Sequence, residues 1–134
     1  MDDSLSIARL EAFVFRAPIA EPRKNAFGAQ TDRPAVLIRL VDTDGVEGWG
    51  EVFCNWPSVA AEHRARLTHS LFRPLVEHRR FADPAAMFRE LTQRTARMRL
   101  QSDERGPFDQ TIAGIDIAAW DLLARRKAQP LWRV

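Results

Sequence analysis

The residues with most potential for chemistry lie in "GIDIAAWDLLARR", Gly114 to Arg126. Asp116 falls among apolar residues with helical spacing. At about 100° per residue, Ile112, Ala113, Ala119, Trp120 and Leu123 all lie within about 60° of it. The wheel therefore puts a carboxylate near the centre of an apolar face. A carboxylate so placed needs donors: an arginine, the Trp49 or Trp56 indole, or backbone amides. A hard cation needs several oxygen ligands, and no second carboxylate joins Asp116 on that face. The spacing thus favours a structural anchor, packed with Trp120, over a metal ligand. Asp121 points away from the centre and pairs with Arg125 at i+4. Gly114 and Ala118 are small and one turn apart, so another backbone can approach there.

Other candidate chemistry is weaker. "DTDG", Asp42 to Gly45, reads as a hairpin turn; a calcium loop needs more oxygens and a glutamate where Phe53 stands. Cys54 is the only cysteine, which excludes an internal disulfide, fits a reducing cytoplasm and reads as a small, partly buried thiol. Arginines recur from Arg64 to Arg80 and from Arg89 to Arg99, while the net charge is only +2. They read as solvated helix faces, and no nucleic-acid-binding motif accompanies them. No apolar run approaches the roughly 20 residues of a membrane span, and the acidic "MDDSLS" start is unlike a signal peptide.

These residues need elements to position them. Apolar weight predicts strands over 6–16, 35–43 and 46–53, the last two joined by the Asp-Gly turn. From Pro57 the period lengthens to three or four. It predicts helices over 58–78 (capped by Ser58, interrupted at Pro74), 84–100 (capped by Asp83, with Met87, Leu91 and Met98 inward) and 107–127. The expected fold is α+β: a three-stranded antiparallel meander followed by a three-helix bundle, one domain over 1–134. At 134 residues the chain is too short for a (β/α)₈ barrel, which needs about 200. Ala17 to Pro34 reads as a long connection, where hairpin loops take about 2–5 residues. It is either a mobile lid or disordered.

The stretch "AGIDIAAWDLLARRKAQPLWRV" resembles the signature that ends the N-terminal domain in the mandelate racemase/muconate lactonizing enzyme family of the enolase superfamily. The hairpin "VLIRLVDTDGVEGWGEV", with Gly48-Trp49-Gly50-Glu51, is similar to the same domain's second and third strands. Thr111 and Ala128 depart from the usual alanine and glycine. The resemblance implies a cap on a TIM barrel. That barrel supplies three carboxylates for Mg²⁺ and Lys or His bases that remove a proton α to a carboxylate. Racemisation, dehydration or cycloisomerisation of a carboxylic acid or acid sugar follows.

What carries over to these residues is the cap's part alone. The resemblance places the long loop after the first strand and the shorter loop after the third over the barrel mouth. Phe27, Gln30, Asn55 and Trp56 become the candidate substrate contacts, while Arg23, Lys24 and Arg33 either meet an acid substrate or, the favoured reading, face solvent. Gly114, Asp116 and Trp120 are structural. No catalytic residue, metal ligand or cofactor site is assigned within the chain. The barrel should begin where Val134 stands, so the chain is expected to be inactive alone, whether truncated or naturally short. An exposed former interface near Trp56, the 130–134 tail and one helix face is expected to drive self-association. The alternative is a free-standing interaction module that kept the cap fold and lost catalysis.

Overall fold

A computed structural model describes residues 2–134. Alternation of apolar and polar residues builds its sheet. Strand β1 (Leu5–Asn25) pairs antiparallel with β2 (Gly28–Asp42), and β2 pairs with β3 (Glu47–Val52). Leu5, Ile7, Leu10 and Ala12 of β1 point inward with Val36, Ile38, Leu40 and Val52. The register shifts between Ile7 and Arg9; this bulge turns Leu10, instead of Arg9, toward the core. At the β2–β3 turn, Asp42 Oδ1 accepts from the Asp44 and Val46 amides at 3.0 and 2.8 Å. Gly45 there takes φ 84°, a conformation that glycine adopts without strain.

A fourth strand, absent from the sequence expectation, is β4 (Arg79–Phe81), which pairs with Leu5–Ile7 and completes the order β3-β2-β1-β4. Where β4 stops, side chains continue its role along β1. Glu77 accepts from the Leu10 amide at 2.9 Å, His69 Nε2 accepts from the Ala12 amide at 3.0 Å, and Arg73 Nε donates to the Leu10 carbonyl at 3.1 Å. His69 and Arg73 lie within one helical stretch and Glu77 is its C-cap: α1 (Ala60–Leu67), a π-turn (Thr68–Phe72) and α2 (Arg73–Val76). The expected single helix over 58–78 is thus divided. Pro74 has no N–H to give and would crowd the preceding turn of an α-helix; the wider π-turn before it removes that clash. Ser58 is not the cap. The N-cap position is Val59, without a side-chain bond.

Helix α3 (Pro84–Gln101) does start from Asp83, whose Oδ1 accepts from the Ala86 amide at 2.6 Å. Met87 and Leu91 are buried, but Met98 is 50% exposed and Thr95 takes the next inward position. Thr95 Oγ1 donates to the Leu91 carbonyl at 2.8 Å, so its hydroxyl is satisfied within the helix and its methyl packs. Helix α4 (Arg105–Arg126) crosses the inner face of the sheet. A Cβ on Gly48 would stand 2.2 Å from the Ala118 carbonyl oxygen, and one on Gly50 2.1 Å from that of Gly114. A Cβ on Gly114 would stand 2.4 Å from Val52 Cγ2. Backbone therefore lies on backbone along this seam. Phe72 and Phe108 meet edge-to-face at 6.1 Å beneath it.

The structure shifts Asp116 from the place the helical wheel gave it and adds a contact to Asp121. Asp116 is half-buried at the flank of the apolar arc, whose centre lies near Ile115 and Leu122. The wheel misplaced the centre because α4 buries two adjoining faces, one of small residues on β3 and one of larger residues on the remaining core. Burial pushes the Asp116 carboxyl up from its ordinary value, and Trp120, itself half-buried one turn on, opposes that. Asp121 pairs with Arg125 at 2.8 Å, and the same Oδ2 also accepts from the Trp49 amide at 2.8 Å. It is Asp121 that anchors the helix to the edge strand.

The face of the sheet away from the helices carries Arg39, lodged 5.5 Å from the Phe13 ring centre and 5.7 Å from that of Trp49. Its guanidinium pairs with Glu11 at 2.7 Å and Glu47 at 3.3 Å. No helix among the described residues is long and apolar enough to cross a membrane.

Candidate functional site

Ala17 to Pro34 is no long connection. It is the outer part of the β1–β2 hairpin, a two-stranded ribbon that continues past the end of β3 and turns at Ala26–Phe27. Pro18, Pro22, Pro34 and Gly28 argued against strand in the sequence. Here they are tolerated because this stretch has no third strand beside it, so an outer edge lacking an N–H loses no ladder bond. The register shifts between Pro18 and Arg23, so β1 carries extra residues there and the ribbon bends. At its tip Asn25 Oδ1 accepts from the Phe27 amide at 2.8 Å, and Gly28 takes φ 127°.

The bend brings the tip to the loop that follows β3. The rings of Phe27 and Trp56 stand 6.1 Å apart, tilted by 42°. Gln30, Asn55 and Trp56 line one hollow of about 70 Å³, together with Arg16, Asp32 and Ser58. Phe27 stands outside this hollow at the tip, 79% exposed. The Gln30 Nε2 is buried and has no hydrogen-bond partner among the described residues. Such a donor is costly to leave unmade, and the residue that carries it lines the hollow. Arg23, Lys24 and Arg33 are exposed.

Arg16 holds the corner together, and nothing in its sequence context singled it out. Its Nη1 donates to both oxygens of Asp32 at 3.1 Å, its Nε and Nη2 to Glu62 at 3.0 and 2.7 Å, and Nη2 also to the Ser58 carbonyl at 2.6 Å. Ribbon, loop and α1 are thus tied by one side chain. Bonding to Glu62 and Asp32 raises the Arg16 pKa, and the same contact lowers that of Glu62. The guanidinium is answered by two carboxylates, so it offers no free positive charge to an incoming anion. Beside the corner, burial pushes the Cys54 thiol up. That disfavours the thiolate a nucleophile needs. The corner offers a flat or apolar surface at Trp56 beside the side-chain amides of Gln30 and Asn55, and it presents no acid–base pair.

The fold leaves magnesium without a seat on these residues. Among the described residues no group of three His, Cys, Asp or Glu side chains is gathered closely enough to hold a metal ion. No step involving a metal is assigned to this chain.

Comparison with known proteins matches this architecture. The family described as mandelate racemase / muconate lactonizing enzyme, N-terminal domain, matches residues 9–134. A solved mandelate racemase/muconate lactonizing enzyme from Bordetella bronchiseptica RB50 is 50% identical, with a TM-score of 0.86 over 97% of this chain and 33% of that one. An enolase from Bradyrhizobium, solved with magnesium and mandelic acid, shares the fold at 21% identity and a TM-score of 0.79, over 99% of this chain and 35% of that one. Among curated proteins, the o-succinylbenzoate synthase of Bacillus subtilis is 27% identical over 131 residues, 95% of this chain and 32% of its own. The chain spans about a third of the length of these relatives. By its sequence match from Arg9 to Val134 and by its fold, the chain belongs to the mandelate racemase/muconate lactonizing enzyme family, as its N-terminal domain.

Proposed function

We propose that the chain caps an enolase-type TIM barrel and selects the substrate of a magnesium-dependent racemase, dehydratase or cycloisomerase acting on a carboxylic acid or acid sugar. The observation that carries this reading is the convergence of Gln30, Asn55 and Trp56 on one hollow, with Phe27 beside it. Two segments distant in sequence bring two side-chain amides and two aromatic rings to one corner, without a nucleophile or base. That is the equipment of recognition. In this reading the barrel holds Mg²⁺, which supplies positive charge to the acid group. The cap meets the other end of the substrate, since Arg16 is already neutralised by Asp32 and Glu62. Closing the corner over the barrel mouth excludes water. The proposal includes a cytoplasmic setting, supported by the lone thiol.

The test uses the polypeptide in which this cap is joined to its barrel, with a panel of carboxylic acids and Mg²⁺, following α-proton exchange in D₂O by NMR. Gln30→Ala and Trp56→Ala should change the ratio of kcat/KM between acids by about tenfold, equivalent to about 1.4 kcal/mol of discrimination. The 134-residue chain alone should show no exchange. Unchanged ratios in both variants would overturn the selecting role. Loss of all exchange from a folded variant would assign these residues to the chemistry instead. A partner captured by the cap alone, with no acid processed by the joined polypeptide, would favour the free-standing module.

A further inference from the structure

The segment between β3 and α1, residues 53–59, carries Asn55 and Trp56, and both its ends are locked to one turn of α4. At the β3 end, a Cβ on Gly50 would stand 2.1 Å from the Gly114 carbonyl oxygen, so the strand rests on the main chain of the helix. At the α1 end, Arg64 donates from Nε and Nη2 to Gln110 Oε1 at 3.1 and 2.8 Å. Gln110 and Gly114 both belong to α4 and are four residues apart, so they lie one above the other on one face. His63 adds a second tie from α1, its Nε2 standing 3.0 Å from Glu104 at the N-cap of α4.

Arg64 is an unexpected choice for joining two helices. It is 5% exposed. Its partners among the described residues are the Gln110 amide and, at 3.4 Å, the His63 ring, with no carboxylate. Burial pushes its pKa down, while Cys54 and Glu104 oppose the shift. A buried charge without a directly paired opposite charge is costly, and an apolar side chain of similar volume would hold the helices together as well or better. What the guanidinium adds is direction. Two of its N–H groups close on one oxygen, and this fork sets both the spacing and the rotation of α1 against α4. Arg16 cannot do the same. It ties α1 to the ribbon through Glu62 and the Ser58 carbonyl, and ribbon and helix could still shift together over α4.

We propose that Arg64 is a positioning residue for the recognition corner. By fixing α1 to the turn of α4 that also holds β3, it sets the span that residues 53–59 must bridge, and so the place of Asn55 and Trp56. Its bearing on selectivity rests on that corner being the selecting part of the cap.

NMR and urea denaturation of the full chain test this with Arg64→Met, an apolar side chain of similar length. In the wild type, nuclear Overhauser contacts should join the Trp56 and Phe27 rings, whose centres are 6.1 Å apart. In Arg64→Met these contacts should be lost. The Ala60 and His63 amides, which donate to the Pro57 and Val59 carbonyls, should exchange about tenfold faster. Val36 to Leu40 should exchange as in the wild type, and the urea midpoint should fall little if at all. Arg64→Lys keeps the charge and lacks the fork, so it should displace Trp56 as well, and it carries the test if Arg64→Met does not fold. Gln110→Glu keeps an acceptor oxygen and should leave Trp56 in place. Ring contacts unchanged in both Arg64 variants would overturn the proposal. So would equal acceleration at Val36 to Leu40, which would make Arg64 a support of the whole domain. Displacement of Trp56 in Gln110→Glu as large as in Arg64→Met would deny the fork its part. No acid is turned over in these measurements, so the positioning role can fail while Gln30 and Trp56 still select, and the reverse.

Discussion

Asp121 of α4 accepts the backbone N–H of Trp49 at 2.8 Å, across 72 residues of sequence. Trp49 lies in β3, an edge strand, so this amide has no neighbouring strand to bond. Asp121→Ala should lower stability by about 1.5–3 kcal/mol, the range for hydrogen bonds to charged groups. Arg125→Ala, which removes only the surface pair with the same carboxylate, should cost no more than about 1 kcal/mol. Urea denaturation compares them, and equal losses would deny Asp121 its anchoring role.

A second expectation concerns the seam between β3 and α4. Gly50→Ala would drive a methyl group to 2.1 Å from the Gly114 carbonyl oxygen. Backbone cannot rotate out of the way as a side chain can, so the loss should exceed about 3 kcal/mol, in the tail of single-substitution effects. Gly106→Ala is the matched control. It lies in the first turn of α4, nothing stands within 4 Å of its added Cβ, and Gly→Ala there should be neutral or stabilise by at most about 0.5–1 kcal/mol. Thermal unfolding of both variants decides.

The bond from the Ala12 amide to His69 Nε2 makes stability depend on pH. It needs a neutral ring with its lone pair on Nε2. Burial lowers the His69 pKa below the ordinary 6.5, and Arg73 lowers it further, while Glu11 and Glu77 oppose the shift. A depressed value means that the unfolded chain binds the proton more tightly. The contribution is complete above pH 6.5 and is lost as the pH falls from there through the lowered folded value. His69→Gln should flatten this part of the stability profile. A wild-type profile level between pH 7 and 5 in denaturant titrations, and unchanged by His69→Gln, would contradict the assignment.

Amide exchange should divide the hairpin into zones. The extra residues between Pro18 and Arg23 should exchange fastest, the paired amides from Arg23 to Gln30 more slowly, and Val36 to Leu40 slowest, because the first zone is unpaired, the second is paired but exposed, and the third is paired and mostly buried. Arg16→Ala should speed exchange in the ribbon by about tenfold, the equivalent of about 1.4 kcal/mol, and leave Val36 to Leu40 unchanged. Equal acceleration in both zones would mean that Arg16 supports the whole domain.

The elements legible in the sequence are those whose signals are local. Asp83 and the proline after it mark a helix start within four residues. "DTDG" fixes a hairpin through one side chain, Asp42, that bonds its own turn. β4 is three residues long and exists only because β1 offers it an edge, so its sequence carries no period to read. The ribbon was hidden by prolines that are hostile to a central strand and harmless at a free edge. Family resemblance pointed to Phe27, Gln30, Asn55 and Trp56, and in the structure three of them line one hollow with Phe27 beside it. Their approach depends on the bulge after Pro18 and on Arg16, and neither leaves a mark in composition or spacing. Asp116 and Asp121 differ by the direction of a helix face, which a wheel cannot orient until the partners of the helix are known.

The glycines of β3 also serve as a datum. Most contacts in a protein interior adjust when a neighbour changes, because side chains have other rotamers. Where Gly48 and Gly50 meet Ala118 and Gly114, the touching atoms belong to the main chain, and the clearance has no adjustable part. The loop that carries Asn55 and Trp56 leaves β3 only a few residues beyond this fixed reference. Repacking around Met87 or Leu91 of α3 leaves this reference in place, since neither residue belongs to the seam. The hollow is thus gauged from two sides, by a main-chain contact behind β3 and by the Arg16 link to α1.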